Sequence, residues 1–306
     1  MSKLISRLTT LLHQAKLRFI HATPKGPYNF LLKKIHKTMD VNLASKILRS
    51  DYFKEVLVPQ PVDLQKLGKV VVFAPHADDE SIGCAGLLSA LSEKSTQIDL
   101  VFMTDSRPMV DDWEQQVAIR KREAQLVAEK LSASCTFIDI NNVDLEVSQS
   151  HIDHIKELLW SGYDAIFSPW PLDSPPKHRL CNAILAKALK KVSFQDVPVF
   201  CYSVHSAVLP NVYFDYSDRV EEKKRLINIH QSQMVTQNYS HLILGLDAWN
   251  SRYLGWSAEE RWIETFCHVP CSEWLKLVKM YEKHPCEAFR GDPKCIASYD
   301  HLHFLT

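Results

Sequence analysis

Between residues 68 and 191 the chain alternates short apolar runs with longer amphipathic ones. Lys69-Val70-Val71-Val72-Phe73-Ala74 has the continuous apolar character of a strand buried on both faces. Ile98 to Met103, Cys135 to Ile140 and Ala165-Ile166-Phe167 repeat that pattern. The segments between them have helical spacing: Ile82 to Leu91, Asp111 to Leu131, Ser150 to Trp160 and His178 to Lys191. Apolar strands joined through helices predict an α/β fold, a doubly wound, mostly parallel sheet with helices on both faces. The ligand site of such a sheet lies beyond the carboxyl ends of its strands. After Val197 the texture is mixed. Val199 to Val204 reads as a further strand, and Tyr213 to Ile229 as a short strand and a helix. The rest, with Trp249, Trp256, Trp262 and Trp274, reads as a helical and loop-rich cap. The expected organisation is an N-terminal helical arm over 1–67, an α/β domain over 68–246 and a cap over 247–306 packed on that domain. No internal repeat or low-complexity tract is visible.

Charge changes the picture mainly at the N-terminus. Residues 1–39 contain no Asp or Glu but carry Lys3, Arg7, Lys16, Arg18, Lys25, Lys33, Lys34 and Lys37 among interleaved apolar positions. The spacing suits basic amphipathic helices broken near Pro24-Lys25-Gly26-Pro27, and with them a peripheral contact with an anionic membrane surface. The alternative is an arm packed on the main domain with its basic side solvated. Over the whole chain 36 basic residues balance 36 acidic ones, so no nucleic-acid partner is expected. Of the eight cysteines, several lie in apolar runs such as Val199-Phe200-Cys201-Tyr202, as reduced core thiols do. No secretory leader and no apolar run near the roughly 20 residues of a membrane span are evident. The expected compartment is the cytoplasm, with the basic arm on the inner face of the membrane.

The chemistry concentrates in Ala74-Pro75-His76-Ala77-Asp78-Asp79-Glu80-Ser81, directly after the first strand. Three adjacent carboxylates beside an imidazole are costly to bury unless solvated or holding a cation. Imidazole and carboxylate are normal zinc ligands, and a catalytic zinc takes three protein ligands and keeps one position open. His76 and Asp79 supply two, and His178, after the fourth strand and opening the next helix, is the candidate third. The alternatives are an acidic turn with Asp79 or Ser81 as N-cap, or a phosphate loop. Gly83 and Gly86 complete neither a dinucleotide fingerprint nor a P-loop.

His76-Ala77-Asp78-Asp79-Glu80 resembles the His-Pro-Asp-Asp-Glu signature of the LmbE/PIG-L deacetylase family, and the likeness extends from 69 to about 255. Arg120-Lys121-Arg122-Glu123-Ala124, Ser168 to His178, Asn211 to Asp215 and His230-Gln231-Ser232-Gln233 resemble further segments, the later ones those of bacterial members found with surface-glycan synthesis. The resemblance implies a Rossmann-like zinc-dependent N-deacetylase acting on an N-acetylated sugar or glycan, free, nucleotide-linked or lipid-linked. His76, Asp79 and His178 match the ligands of one catalytic Zn2+, a place other divalent transition metals could fill. Asp78 matches the general base, Arg120 a position binding polar groups of substrate, and Asp144 an acidic substrate-positioning residue. Two departures stand out in Asp173-Ser174-Pro175-Pro176-Lys177-His178. Pro175 replaces an oxyanion-stabilising histidine, and Lys177 an Asp that supports a neighbouring histidine. Loss of one oxyanion stabiliser typically lowers the rate about 10²–10³-fold. Lys177 and His205 are the candidate substitutes.

Other clusters have plainer readings. His151 and His154 fit a solvated helix face. Cys267, Cys271, Cys286 and Cys295, with His268 and His284, could make a structural zinc site, but their spacing fits no standard knuckle. The late tryptophans could stack on sugars or pack a core. Lys223, Lys224 and Arg225 read as a solvated helix face. Three functions therefore stand open: an active deacetylase, a degenerate metal- and glycan-binding relative, and an unrelated nucleotide-binding protein holding Mg2+. The two histidines count against the last, because Mg2+ prefers oxygen ligands.

Overall fold

The structure, a computed structural model, describes residues 59–190, 197–235, 237–255 and 257–280. The basic arm, with its expected amphipathic helices and membrane contact, and Trp256, His284, Cys286 and Cys295 lie outside the described residues. Among those described, no helix is long and apolar enough to cross a membrane.

The strands are β1 (Gln60–Pro61), β2 (Lys69–Ala74), β3 (Gln97–Thr104), β4 (Ser134–Ile140), β5 (Ala165–Pro169), β6 (Pro198–Tyr202), β7 (Val212–Asp215) and β8 (Ile263–Pro270). The helices are α1 (Asp79–Glu93), α2 (Trp113–Lys130), α3 (Gln149–Leu159), α4 (Pro176–Leu189), α5 (Val220–Ile229), α6 (Tyr239–Asn250) and α7 (Cys271–Lys279). They build one eight-stranded sheet in the order β1-β7-β8-β6-β5-β2-β3-β4. All pairings are parallel except those of β8 with β6 and β7. The mostly parallel α/β expectation holds, and each strand and helix predicted between 69 and 191 is present.

The pleat explains why these strands read as unbroken apolar runs. Val70, Val72 and Ala74 face one core with Leu87, Leu88 and Leu91 of α1, while Val71 and Phe73 face the other with Ile184 and Leu185 of α4. Strand β2 pairs with β3 on one side and β5 on the other. The chain runs outward from β2 through β4, then returns to the opposite side of β2 as β5. The gap between the carboxyl ends of β2 and β5 is therefore the topological switch point, where this class of fold binds ligands.

Two details of α1 and its surroundings depart from expectation. The segment after 246 supplies a strand as well as helices, and β8 lies inside the sheet. Its run Ile263-Glu264-Thr265-Phe266-Cys267-His268-Val269 is almost wholly buried. Helix α1 is broken at Cys84, whose φ of −150° is non-helical. Glu264 reaches from β8 into that break and accepts hydrogen bonds from the N–H groups of Gly86 and Leu87 at 2.7 and 2.8 Å. The glycines of α1 serve packing. A Cβ at Gly83 would overlap the ring of Tyr202, and one at Gly86 would lie 2.8 Å from the ring of Tyr216. Lys223, expected on a solvated face, is fully buried, because its Nζ is 2.7 Å from Asp247 and 2.8 Å from Glu264. Lys224 and Arg225 do lie at the surface. Cys267 and Cys271 are buried in the apolar core, which removes them from a solvent-facing metal site.

Candidate metal centre and catalytic site

The turn after β2 and the turn after β5 meet at the switch point. His76 closes the first turn, and Asp79 opens α1. The His76 backbone N–H donates to Asp79 Oδ2 at 2.8 Å, which draws the carboxylate back over the turn. His76 Nδ1 lies 3.2 Å and His178 Nε2 3.4 Å from the same oxygen. One ligand atom from each of His76, Asp79 and His178 thus lies within 4.8 Å of the other two. The remaining nitrogen of each ring is also held. His76 Nε2 is 3.0 Å from Asn142 Oδ1, and His178 Nδ1 is 2.8 Å from Asp173 Oδ2. With oxygen acceptors on those sides, each ring donates outward and turns its lone pair toward Asp79. Metal-ligating imidazoles are oriented this way. Two neutral imidazoles, one carboxylate and their outer acceptors fit a divalent transition ion. Burial pushes the Asp79 carboxyl up, but when the two imidazoles are protonated instead of holding an ion, the His178 charge, the His76 hydrogen bond and the His76 charge outweigh burial and hold the carboxyl below the usual carboxylate range.

Asp78 is buried beside this cluster. Its N–H donates to Glu80 Oε2 at 3.1 Å. The other Glu80 oxygen accepts from Ser81 at 2.7 Å and lies 3.0 Å from His230 Nε2. Burial lowers the His230 pKa, but the Glu80 charge and hydrogen bond outweigh it and raise it overall. Three more bonds fasten the same segment to the site. Ser232 donates twice to Glu123 of α2, at 2.9 and 2.6 Å, and Gln233 Nε2 donates to Ala77 O at 3.0 Å. The segment His230 to Gln233 is thus a strap that pins the acidic turn to α2.

The remaining expected residues divide. Arg120 is half-buried on α2, donates to Ser106 O at 2.5 Å and lies close enough to Asp78 to feel its charge. Burial lowers its pKa, against the opposing pull of Asp78 and Glu123. The His205 ring lies beside that of His178, tilted by 50° with centroids 5.4 Å apart, and the His205 backbone N–H donates to Asp173 Oδ1 at 3.1 Å. Lys177 sits half-buried in the first turn of α4. Pro175 is the N-cap of that helix and presents no polar side chain. Asp144 is not brought to the centre. It is exposed and accepts from Asn141 at 3.2 Å, while Asn142, two residues earlier, reaches His76.

Asn142, Asp173 and His230 were not singled out from the sequence as site residues. Asp173 was within view. It stands five residues before His178 and does the work expected of an Asp at 177. The loop folds back so that Arg179, fully buried, donates to the carbonyls of Asp173 and Ser174 at 2.7 and 2.6 Å. Asp173→Asn is expected to weaken metal affinity by about 10–100-fold, since outer partners of ligating histidines carry effects of that size. Competition against a chromophoric chelator measures it, and unchanged affinity would remove Asp173 from the site.

Residues 71–189 match the family described as PIG-L, GlcNAc-PI de-N-acetylase. Diacetylchitobiose deacetylase of Thermococcus kodakarensis is 26% identical over 189 residues, 54% of this chain and 70% of that protein. The solved structure of N,N'-diacetylchitobiose deacetylase from Pyrococcus horikoshii has a TM-score of 0.55 at 22% identity, covering 75% of this chain and 92% of that one. The 4-carboxy-2-hydroxymuconate hydratase of Pseudomonas putida also scores 0.55, at 16% identity, over 66% of this chain and 96% of that one. A deacetylase and a hydratase thus share the fold, and only the site's chemistry can separate them.

Proposed function

Because residues 71–189 are a domain of the PIG-L (LmbE-like) de-N-acetylase family, we propose that this protein hydrolyses the acetamide of an N-acetylated sugar, releasing acetate and a free amine. The ion would be Zn2+, held by His76, Asp79 and His178, and the setting the synthesis of a surface glycan. The observation that carries the reading is the pairing of Asp78 with the His-Asp-His cluster at the switch point. A metal bound there supplies Lewis-acid polarisation of the amide carbonyl.

The chain's own residues do the rest. Asp78 is no member of the ligand set, so its carboxylate is left to take a proton from water and return it to the departing amine. Glu80 and the strap fix the Asp78 backbone, so the base need not be ordered during the reaction. Arg120, beside Asp78, offers hydrogen-bond donors for substrate oxygens. His205 is placed next to His178 and is the candidate to steady the oxyanion in place of a side chain at Pro175. Lys177 is the second candidate for that role.

Pro175 also supports a second reading, a relative that binds metal and glycan without turnover. Acetate release separates the two. Purified protein would be tested as isolated, after chelation and after Zn2+ return, on N-acetylhexosamines in free, nucleotide-linked and lipid-linked form. Release that chelation removes and Zn2+ restores is the expected result. Metal-loaded protein releasing no acetate from any donor would overturn the deacetylase and leave the non-catalytic reading.

A further inference from the structure

We infer that Arg107 and Arg120 form a recognition site for an oxyanion, a phosphate or carboxylate, carried by the substrate beside its acetamido sugar. The sugar in this inference rests on the deacetylase reading, whereas the anion rests on geometry alone.

Arg107 follows β3 in the loop that covers the acidic turn. Its guanidinium carbon lies 3.5 Å from the centroid of the Trp113 ring. Its Nε is 3.2 Å from Asp105 Oδ2. The side chain is only 26% exposed. Stack and carboxylate together fix the plane of the group. Nε meets Asp105 as an ion pair without a hydrogen bond, and the two terminal nitrogens make no hydrogen bond among the described residues either. A guanidinium pinned by its stem and one face, with its terminal donors unused, is a preformed fork for a bidentate oxyanion.

The loop's bonds place that fork next to the reaction. Arg107 O accepts from Asn142 Nδ2 at 2.9 Å, and the same Asn142 side chain touches His76. Ser106, its neighbour, accepts the Ala77 N–H on its Oγ at 2.9 Å and the Arg120 guanidinium on its carbonyl. Arg120 therefore bonds the residue that precedes Arg107, and the hydroxyl of that residue holds the acidic turn through Ala77. Arg120 spends one terminal nitrogen on Ser106, while its buried Nε has no hydrogen-bond partner among the described residues. A stacked arginine on an ordinary surface would keep its terminal nitrogens in water far from any site. Here Arg120 lies close enough to Asp78 to feel its charge, and Arg107 sits in the loop bonded to Asn142, the partner of His76.

The test uses the full chain with Asp78→Asn, so that ligands stay intact. Calorimetric titrations would compare N-acetylglucosamine 1-phosphate, its carboxymethyl glycoside, its neutral methyl glycoside and inorganic phosphate. The expected result is that one anionic glycoside binds at least about tenfold tighter than the neutral one, as charge-assisted hydrogen bonds provide. Which arm shows the preference tells phosphate from carboxylate, and inorganic phosphate shows whether the anion suffices alone. Arg107→Gln should abolish most of the preference, and Arg107→Lys, which keeps the charge but not the fork, should restore only part. Equal binding of neutral and anionic glycosides overturns the inference without any variant, as does an undiminished preference in folded Arg107→Gln. The two readings fail separately. An Arg107-dependent preference without acetate release from native protein keeps the anion site and removes the deacetylase. Acetate release indifferent to charge and to Arg107 does the reverse.

Discussion

Asp78→Asn protein is expected to retain its metal and to release acetate about 10²–10⁴-fold more slowly than native protein, the range for loss of a general base. The split between metal and turnover follows from the geometry. The three candidate ligand atoms belong to His76, Asp79 and His178. Asp78 contributes none, and its exchange for an isosteric amide leaves the Asp79 oxygen with its contacts to the His76 N–H, His76 Nδ1 and His178 Nε2. The Asp78 backbone N–H still donates to Glu80. What disappears is a group able to accept a proton. Metal content by emission spectroscopy and acetate by coupled assay read the two quantities on one sample. Unimpaired turnover would exclude Asp78 as base and turn attention to His205. Loss of metal in parallel with turnover would instead make Asp78 part of the ion's support, and the assignment of base would fall.

The acidic turn was legible in the sequence because its chemistry is local. His76, Asp78 and Asp79 lie within four residues, after a strand whose five apolar side chains could face only a buried environment. His178 was legible for a related reason: it begins a helix after a parallel strand, and parallel strands deliver such positions to one edge. The outer acceptors were not. Asn142 follows β4, and Asp173 lies in a loop whose return depends on buried Arg179. Neither partner can be inferred without knowing how those loops bend. Asp144 was drawn toward the site by its type, yet the loop after β4 directs Asn142 inward instead. Strand β8 was missed because Glu264, Thr265 and His268 interrupt its apolar positions, and the neutralising partner of Glu264 lies some forty residues away in α5. Lys223 was misread for the same reason, since a lysine beside Lys224 and Arg225 has the local look of a solvated face.

That buried pair carries the largest expected effect on stability. Glu264→Ala is expected to destabilise the protein by about 3–5 kcal/mol, the range for removing one partner of a buried ion pair. Three losses coincide. Lys223 keeps Asp247 but loses a carboxylate oxygen at 2.8 Å. The N–H groups of Gly86 and Leu87 lose the carboxylate that accepts from them at the break in α1. The space left lies against the Tyr216 ring, which donates its own hydroxyl to Asp247 at 2.5 Å. Burial pushes the Glu264 and Asp247 carboxyls up and would push Lys223 down, but the two carboxylates hold the lysine charged. The cluster stands only as a set. Lys224→Ala, one position along α5 and surface-exposed, is the matched control and should stay within about 0.5 kcal/mol. Urea midpoints at constant slope measure both. A Glu264→Ala midpoint as close to native as that of Lys224→Ala would mean that the break at Cys84 needs no cap from β8. The expected shift would mean that the late strand holds together the helix whose first residue is Asp79, and so that residues far from the acidic turn in sequence set the position of a candidate metal ligand.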